Sequence, residues 1–209
     1  MNQWYPLLLD IRDRLCLVVG GGVVSARKIK SLLSSGAKVR AVSPHLCDDI
    51  KKIDSPQLEV VKAEYKSTYM NGVALVIAST SNSAVNKKIS DEAKKRGIFV
   101  NVVDQIEKCS FIVPSVVQRG DLILSISTSG VSPAVSKKLR QDLEKKFGKE
   151  WSVYLKMMRL ARKLAIEHVA NQQDRENIFN ALADSELFEL VKCGEVEKAE
   201  DLVREIVGL

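Results

Sequence analysis

The chain has 209 residues, of which 45% are hydrophobic, with a mean hydropathy of −0.04 and a net charge of +6. This length allows one full core and a smaller appendage, and no apolar run approaches the roughly 20 residues of a membrane span. The positive charge favours anionic partners, but aromatics are few and not interleaved with basic runs, which argues against a nucleic-acid platform.

Met1 to Arg14 has no basic start followed by a long apolar stretch, so a signal peptide is not expected and a cytoplasmic location is. Cys16, Cys47, Cys109 and Cys193 form no CxxC pair, and reduced thiols follow from that setting. With two histidines, His45 and His168, and no His/Cys cluster, no metal site is expected.

Leu15 to Val19 reads as a strand buried on both faces, and it runs straight into Gly20, Gly21 and Gly22. In such a turn backbone amides can approach a pyrophosphate. The helix expected from about Val23 to Ser35 points its positive end there. Val23 and Val24, which open that helix, join the three glycines as candidate cofactor contacts. Ser25 stands where a dinucleotide fingerprint has its third glycine, and Gly36 is placed to end the helix.

Ala37–Ser43 is the second strand, closed by Pro44. The acidic residue expected about 20 positions after the glycines is absent. Ser43, Pro44 and His45 occupy that end instead, and the motif leaves NAD and NADP open. Leu58–Val61, Val73–Ala78 and Ile98–Val103 read as three more strands, with a helix over Asn82–Arg96. Strands alternating with helices imply a doubly wound, Rossmann-like parallel sheet of the α/β class. Thr80 after the fourth strand and Asn101 in the fifth are further candidate cofactor contacts. Asp104 follows the fifth strand directly, where a carboxylate can serve as general acid or base.

The rhythm then changes. Ser110–Val117 and Asp121–Ser127 are strand-like and joined by only three residues, so an antiparallel hairpin is expected. Ser127, Thr128 and Ser129 precede a helix start at Ser132-Pro133, with Lys137 in the helix itself. Hydroxyls and amides there suit carboxylate or phosphate oxygens. Helices are expected over Ala134–Phe147, Trp151–Asn171, Arg175–Ala183, Ser185–Val191 and Glu195–Val207. The expected organisation is a nucleotide domain over 1–112, a hairpin-led segment over 113–147 suited to pairing with a second subunit, and a helical domain over 148–209.

The stretches YPLLLDIRDRLCLVVGGGVVSARK, VRAVSP and NVVDQIEKCSFIVPSVVQRGDLILSISTSGVSPAVSKKLR closely resemble the precorrin-2 dehydrogenases, also called the siroheme synthase N-terminal domain. The resemblance covers about residues 3 to 145. It implies NAD-dependent oxidation of the tetrapyrrole precorrin-2 to sirohydrochlorin, a homodimer whose interface and substrate cleft are built by the segment 113–147, and in some members ferrous iron as a further substrate. It also implies that the family's aspartate falls on Asp104, that Ser43-Pro44 replaces the missing acid in favour of NAD, and that a serine phosphorylated in some members falls on Thr128. The rival reading is a non-catalytic NAD-sensing module, which would explain the glycine turn but not the hairpin.

Overall fold

The computed structural model describes residues 4–209, which divide into two compact units at Val113/Pro114. The first unit holds five strands: β1 (Leu15–Val19), β2 (Lys38–Val42), β3 (Leu58–Val61), β4 (Val73–Ala78) and β5 (Phe99–Val102). All are parallel, in the order β3-β2-β1-β4-β5. The order reverses direction between β1 and β4, and in a doubly wound sheet that switch point opens a crevice at the strand C-termini.

The alternation of side chains along a strand explains why both central strands are continuously apolar. Cys16 and Val18 of β1, with Leu75 and Ile77 of β4, pack on one face against Ile29 and Leu32 of α1 (Val23–Ser34). Leu17, Val19, Val76 and Ala78 pack on the other face against Ile89 and Ala93 of α3 (Ser83–Lys95).

Local chemistry sets the helix ends. Gly36, at φ +80°, lets the Gly36 and Ala37 amides bond the Leu33 and Leu32 carbonyls, which closes α1. The Asn82 side chain caps α3 by accepting from the Ala84 and Val85 amides. A one-turn helix, α2 (Asp48–Lys51), follows the second strand and has too little periodicity to be read from sequence.

The second unit opens with the hairpin, β6 (Ser115–Arg119) and β7 (Leu122–Ile126), paired antiparallel as expected. Its bounds differ from the sequence expectation. Ser110 and Phe111 instead donate to the Val100 carbonyl of β5, and Pro114 has no amide to add to a ladder. The connection is two residues, Gly120-Asp121, with a positive φ at Gly120 alone, as a type II′ turn requires.

Five helices follow: α4 (Pro133–Lys146), α5 (Glu150–His168), α6 (Gln172–Asp184), α7 (Leu187–Cys193) and α8 (Val196–Val207). Ser132 caps α4 by accepting from the Val135 amide, with Pro133 in its first turn. The last four helices surround a core of Met157, Ala161, Leu182, Leu187, Ala199 and Val203. Trp151 packs its ring against Phe188 at a centroid distance of 4.7 Å.

Candidate functional site

The turn after β1 and the loops after β2, β3 and β4 enclose a cleft of about 720 Å³ at the sheet's switch point. Gly20, Gly21 and Gly22 line it with Ser43, Pro44, His45 and Thr80, so seven of the expected cofactor contacts converge. A Cβ on Gly21 would lie 1.7 Å from the His45 carbonyl oxygen. One on Gly20, at φ +131°, would lie 2.5 Å from the Ser79 carbonyl oxygen. These glycines let three loops close on one another.

Hydrogen bonds hold that closure. Gly20 donates to the Val42 carbonyl, Cys47 to the Gly21 carbonyl at 2.8 Å, and Ser79 to the Val19 carbonyl at 2.8 Å. Ser25 takes the third fingerprint position for a reason now visible. It is fully buried, and its hydroxyl bonds the Ser79 hydroxyl at 2.8 Å, which ties the glycine turn to the end of β4.

Ser43 is also buried, and its hydroxyl donates to the His45 carbonyl at 2.7 Å, which shapes the loop beside the glycines. Thr80 is held by Asn86, whose side chain accepts from the Thr80 hydroxyl at 2.7 Å and donates to the Thr80 carbonyl at 3.0 Å. Gly22 caps α1 without a side chain, and the first turn of α1 carries no acidic residue. Its amides are left to serve an anion.

Other expected residues lie elsewhere. Val23 and Val24 open α1 but do not line the cleft. Asn101 is buried in β5, where its side-chain amide donates to the Phe111 carbonyl at 3.1 Å; this fixes the chain after the strand. Asp104 follows β5 at the same C-terminal edge of the sheet, exposed, at φ +60°.

In the second unit Ser127, Thr128 and Ser129 build a turn. The Ser127 hydroxyl accepts from the Ser129 amide, and the Thr128 hydroxyl accepts from the Ser132 amide and donates to the Ser132 carbonyl. Lys137 is exposed on α4.

The cleft also holds residues the sequence reading missed, chiefly Glu64 and Tyr65 after β3. The Tyr65 hydroxyl donates to Glu92 at 2.5 Å, and Ser67 donates to the other carboxylate oxygen at 2.7 Å. Burial, then the neighbouring carboxylate, pushes the Tyr65 phenol upward. Burial works against the Glu92 charge, but the two hydroxyl donors outweigh it and hold the carboxyl below its usual range. Burial also pushes the Cys16 thiol up to about 11 and raises that of Cys109. Among the described residues no group of three His, Cys, Asp or Glu side chains could hold a metal ion, and no helix is long and apolar enough to cross a membrane.

A five-stranded parallel sheet whose switch point carries a glycine turn and an uncapped helix start defines a dinucleotide-binding protein. The model of the family described as "Putative NAD(P)-binding" matches residues 7–115, and the chain belongs to that family. Similar proteins extend the likeness along the chain. A siroheme synthase of Photorhabdus laumondii subsp. laumondii is 32% identical over 199 residues, covering 95% of this chain and 42% of that protein. One of Nitrosospira multiformis is 42% identical over 147 residues, covering 68% of this chain and 31% of that protein. The chain therefore spans less than half the length of these relatives. The solved structure of SirC, a precorrin-2 dehydrogenase, superposes with a TM-score of 0.80 at 25% identity, covering 97% of this chain and 100% of that one. The expected kinship with siroheme synthases and precorrin-2 dehydrogenases is thus met by sequence and by fold.

Proposed function

We propose that this chain is an NAD-dependent precorrin-2 dehydrogenase that forms sirohydrochlorin for siroheme. The observation that carries the reading is the end-to-end match with SirC, which includes the hairpin and helices that nucleotide binding alone would not need.

The cleft fits the cofactor on its own evidence. Gly20 and Gly21 let the loops after β2 and β4 close against the turn, the space beside Gly22 is open, and the first turn of α1 carries no acidic side chain that would compete with an anion for its amides. Bound NAD supplies the hydride acceptor. The glycine turn would hold the pyrophosphate, and Ser43, Pro44, His45 and Thr80, which line the same cleft, would contact the rest of the nucleotide.

A hydride and a proton must both leave the macrocycle. Asp104 is the base assigned to the proton, or the group that orients the ring. Its support is its position on the C-terminal edge of the sheet, where the cofactor turn also lies. The substrate is a polycarboxylate, and Lys137 offers an exposed ammonium to it. The hydroxyls of Ser127 and Thr128 shape the turn before α4, with the Ser129 amide donating into it.

Residues 113–147 are assigned to dimerisation and the substrate cleft, and 148–209 to a helical domain beside them. Val135 and Leu139, one turn apart on α4, are 48% and 44% exposed, and Val131 just before the helix is 86% exposed, together an apolar surface suited to a second copy. Insertion of ferrous iron into the product is a second step in the same proposal.

The test is to mix protein, NAD and precorrin-2 and to follow sirohydrochlorin absorbance together with NADH. Stoichiometric appearance of both is expected. NAD binding without turnover would replace the dehydrogenase by an NAD-sensing module. Ferrous iron added afterwards reads out chelation.

A further inference from the structure

The acidic residue that usually grips the adenosine ribose is missing from the tip of β2, yet the cleft does contain a carboxylate. Among the described residues that line it, Glu64 is the only acidic one, and none is lysine or arginine. Glu64 comes from the neighbouring strand's end. Val42 of β2 pairs with Val61 of β3, and Ser43 donates its amide to the Val61 carbonyl at 3.1 Å, so the two strand tips lie side by side. Three residues beyond Val61, Glu64 lines the same cleft as Ser43 and Pro44.

We propose that Glu64 sets the preference for NAD over NADP, supplying from the end of β3 the carboxylate that the end of β2 lacks. This rests on the reading of the cleft as an NAD site. A 2′-phosphate carries nearly two negative charges at neutral pH. Placed near Glu64, it would meet a like charge with no lysine or arginine in the lining to offset it. A ribose 2′-hydroxyl is instead a donor for which a carboxylate is a natural acceptor.

The nearby cations do not change the balance. Arg40 is engaged by Glu59 at 2.8 Å and by the Tyr69 carbonyl at 3.2 Å. Lys62 and Lys66 flank Glu64 in sequence but stay outside the lining. His45 is the one basic side chain in it. The scaffold under Glu64 is firm, because the adjacent Tyr65 is anchored on Glu92.

The test is calorimetric titration of NAD and of NADP at pH 8, on the full chain and on Glu64→Gln. Glu64 is exposed, and the amide is nearly isosteric, so the fold is expected to survive. Glu107→Gln removes an exposed carboxylate outside the cleft and controls for overall charge. The unaltered chain is expected to bind NAD about tenfold or more tighter than NADP. Glu64→Gln should shrink that ratio by about threefold or more, a change of roughly 0.7 kcal/mol, and Glu107→Gln should leave it in place. A preference for NADP, or a ratio that shrinks by less than about threefold in Glu64→Gln while NAD still binds, overturns the role of Glu64 and spares the NAD site. Failure of the unaltered chain to bind either nucleotide overturns the NAD site itself.

Discussion

Gly21 and Gly22 are neighbours in a motif and opposites in their surroundings. A methyl group on Gly21 would collide with backbone at 1.7 Å, whereas one on Gly22 has nothing within 4 Å. Gly21→Ala should therefore destabilise the chain by about 3 kcal/mol or more and abolish NAD binding, because the loop over it is tied down by its own hydrogen bonds. Gly22→Ala should cost only about 1 kcal/mol, through a poorer helix cap. Urea unfolding with NAD titration of both variants checks the contrast. Asp104 shows strain of another kind, since a non-glycine residue at φ +60° costs on the order of 1 kcal/mol. Asparagine tolerates that backbone at least as well and cannot accept the proton. Asp104→Asn should keep its stability within about 0.5 kcal/mol and lose dehydrogenase turnover by about 100-fold or more. Full turnover in that variant would remove Asp104 from the chemistry.

At the level of elements, the Tyr65, Ser67 and Glu92 cluster joins the segment after β3 to α3. The signs of its two shifts are opposite. Glu92 is held below its usual pKa, so its contribution is present above the unfolded value of about 4.3 and is lost as pH falls through the folded value. Tyr65 is held above its usual value, so its contribution is present below about pH 10 and is lost as pH rises through the folded value. In Tyr65→Phe, Glu92 loses a donor. The acid fall in Tm due to Glu92 should then be smaller and be complete at a higher pH, and the alkaline fall due to this phenol should vanish. Melting curves from pH 3 to 11 read both arms. The alternation of strands with amphipathic helices was legible beforehand because period and capping are local. The hairpin's start was displaced because SFIVPS looks like a strand, while Ser110 and Phe111 are drawn to the Val100 carbonyl of β5, and no local pattern announces that.

For the whole molecule, the exposed stripe of Val131, Val135 and Leu139 bears on assembly. An aspartate there would place a charge in a desolvated contact between copies, and it would be harmless on a free surface. Leu139→Asp should convert a dimer to a monomer in light scattering without lowering secondary structure by circular dichroism. An unchanged mass would remove this stripe from the interface. The sequence by itself determined the parallel sheet, the glycine turn between β1 and α1, and the family, because each is written in contiguous residues with short-range rules. Only the tertiary structure decided which groups share the cleft and which are already spent. Glu64 and Tyr65 come to it from the segment after β3 and Val85 from α3, and the hydroxyls of Ser43 and Thr128 are consumed in holding their own loops. Packing between distant segments sets those outcomes, and residue spacing carries no record of it.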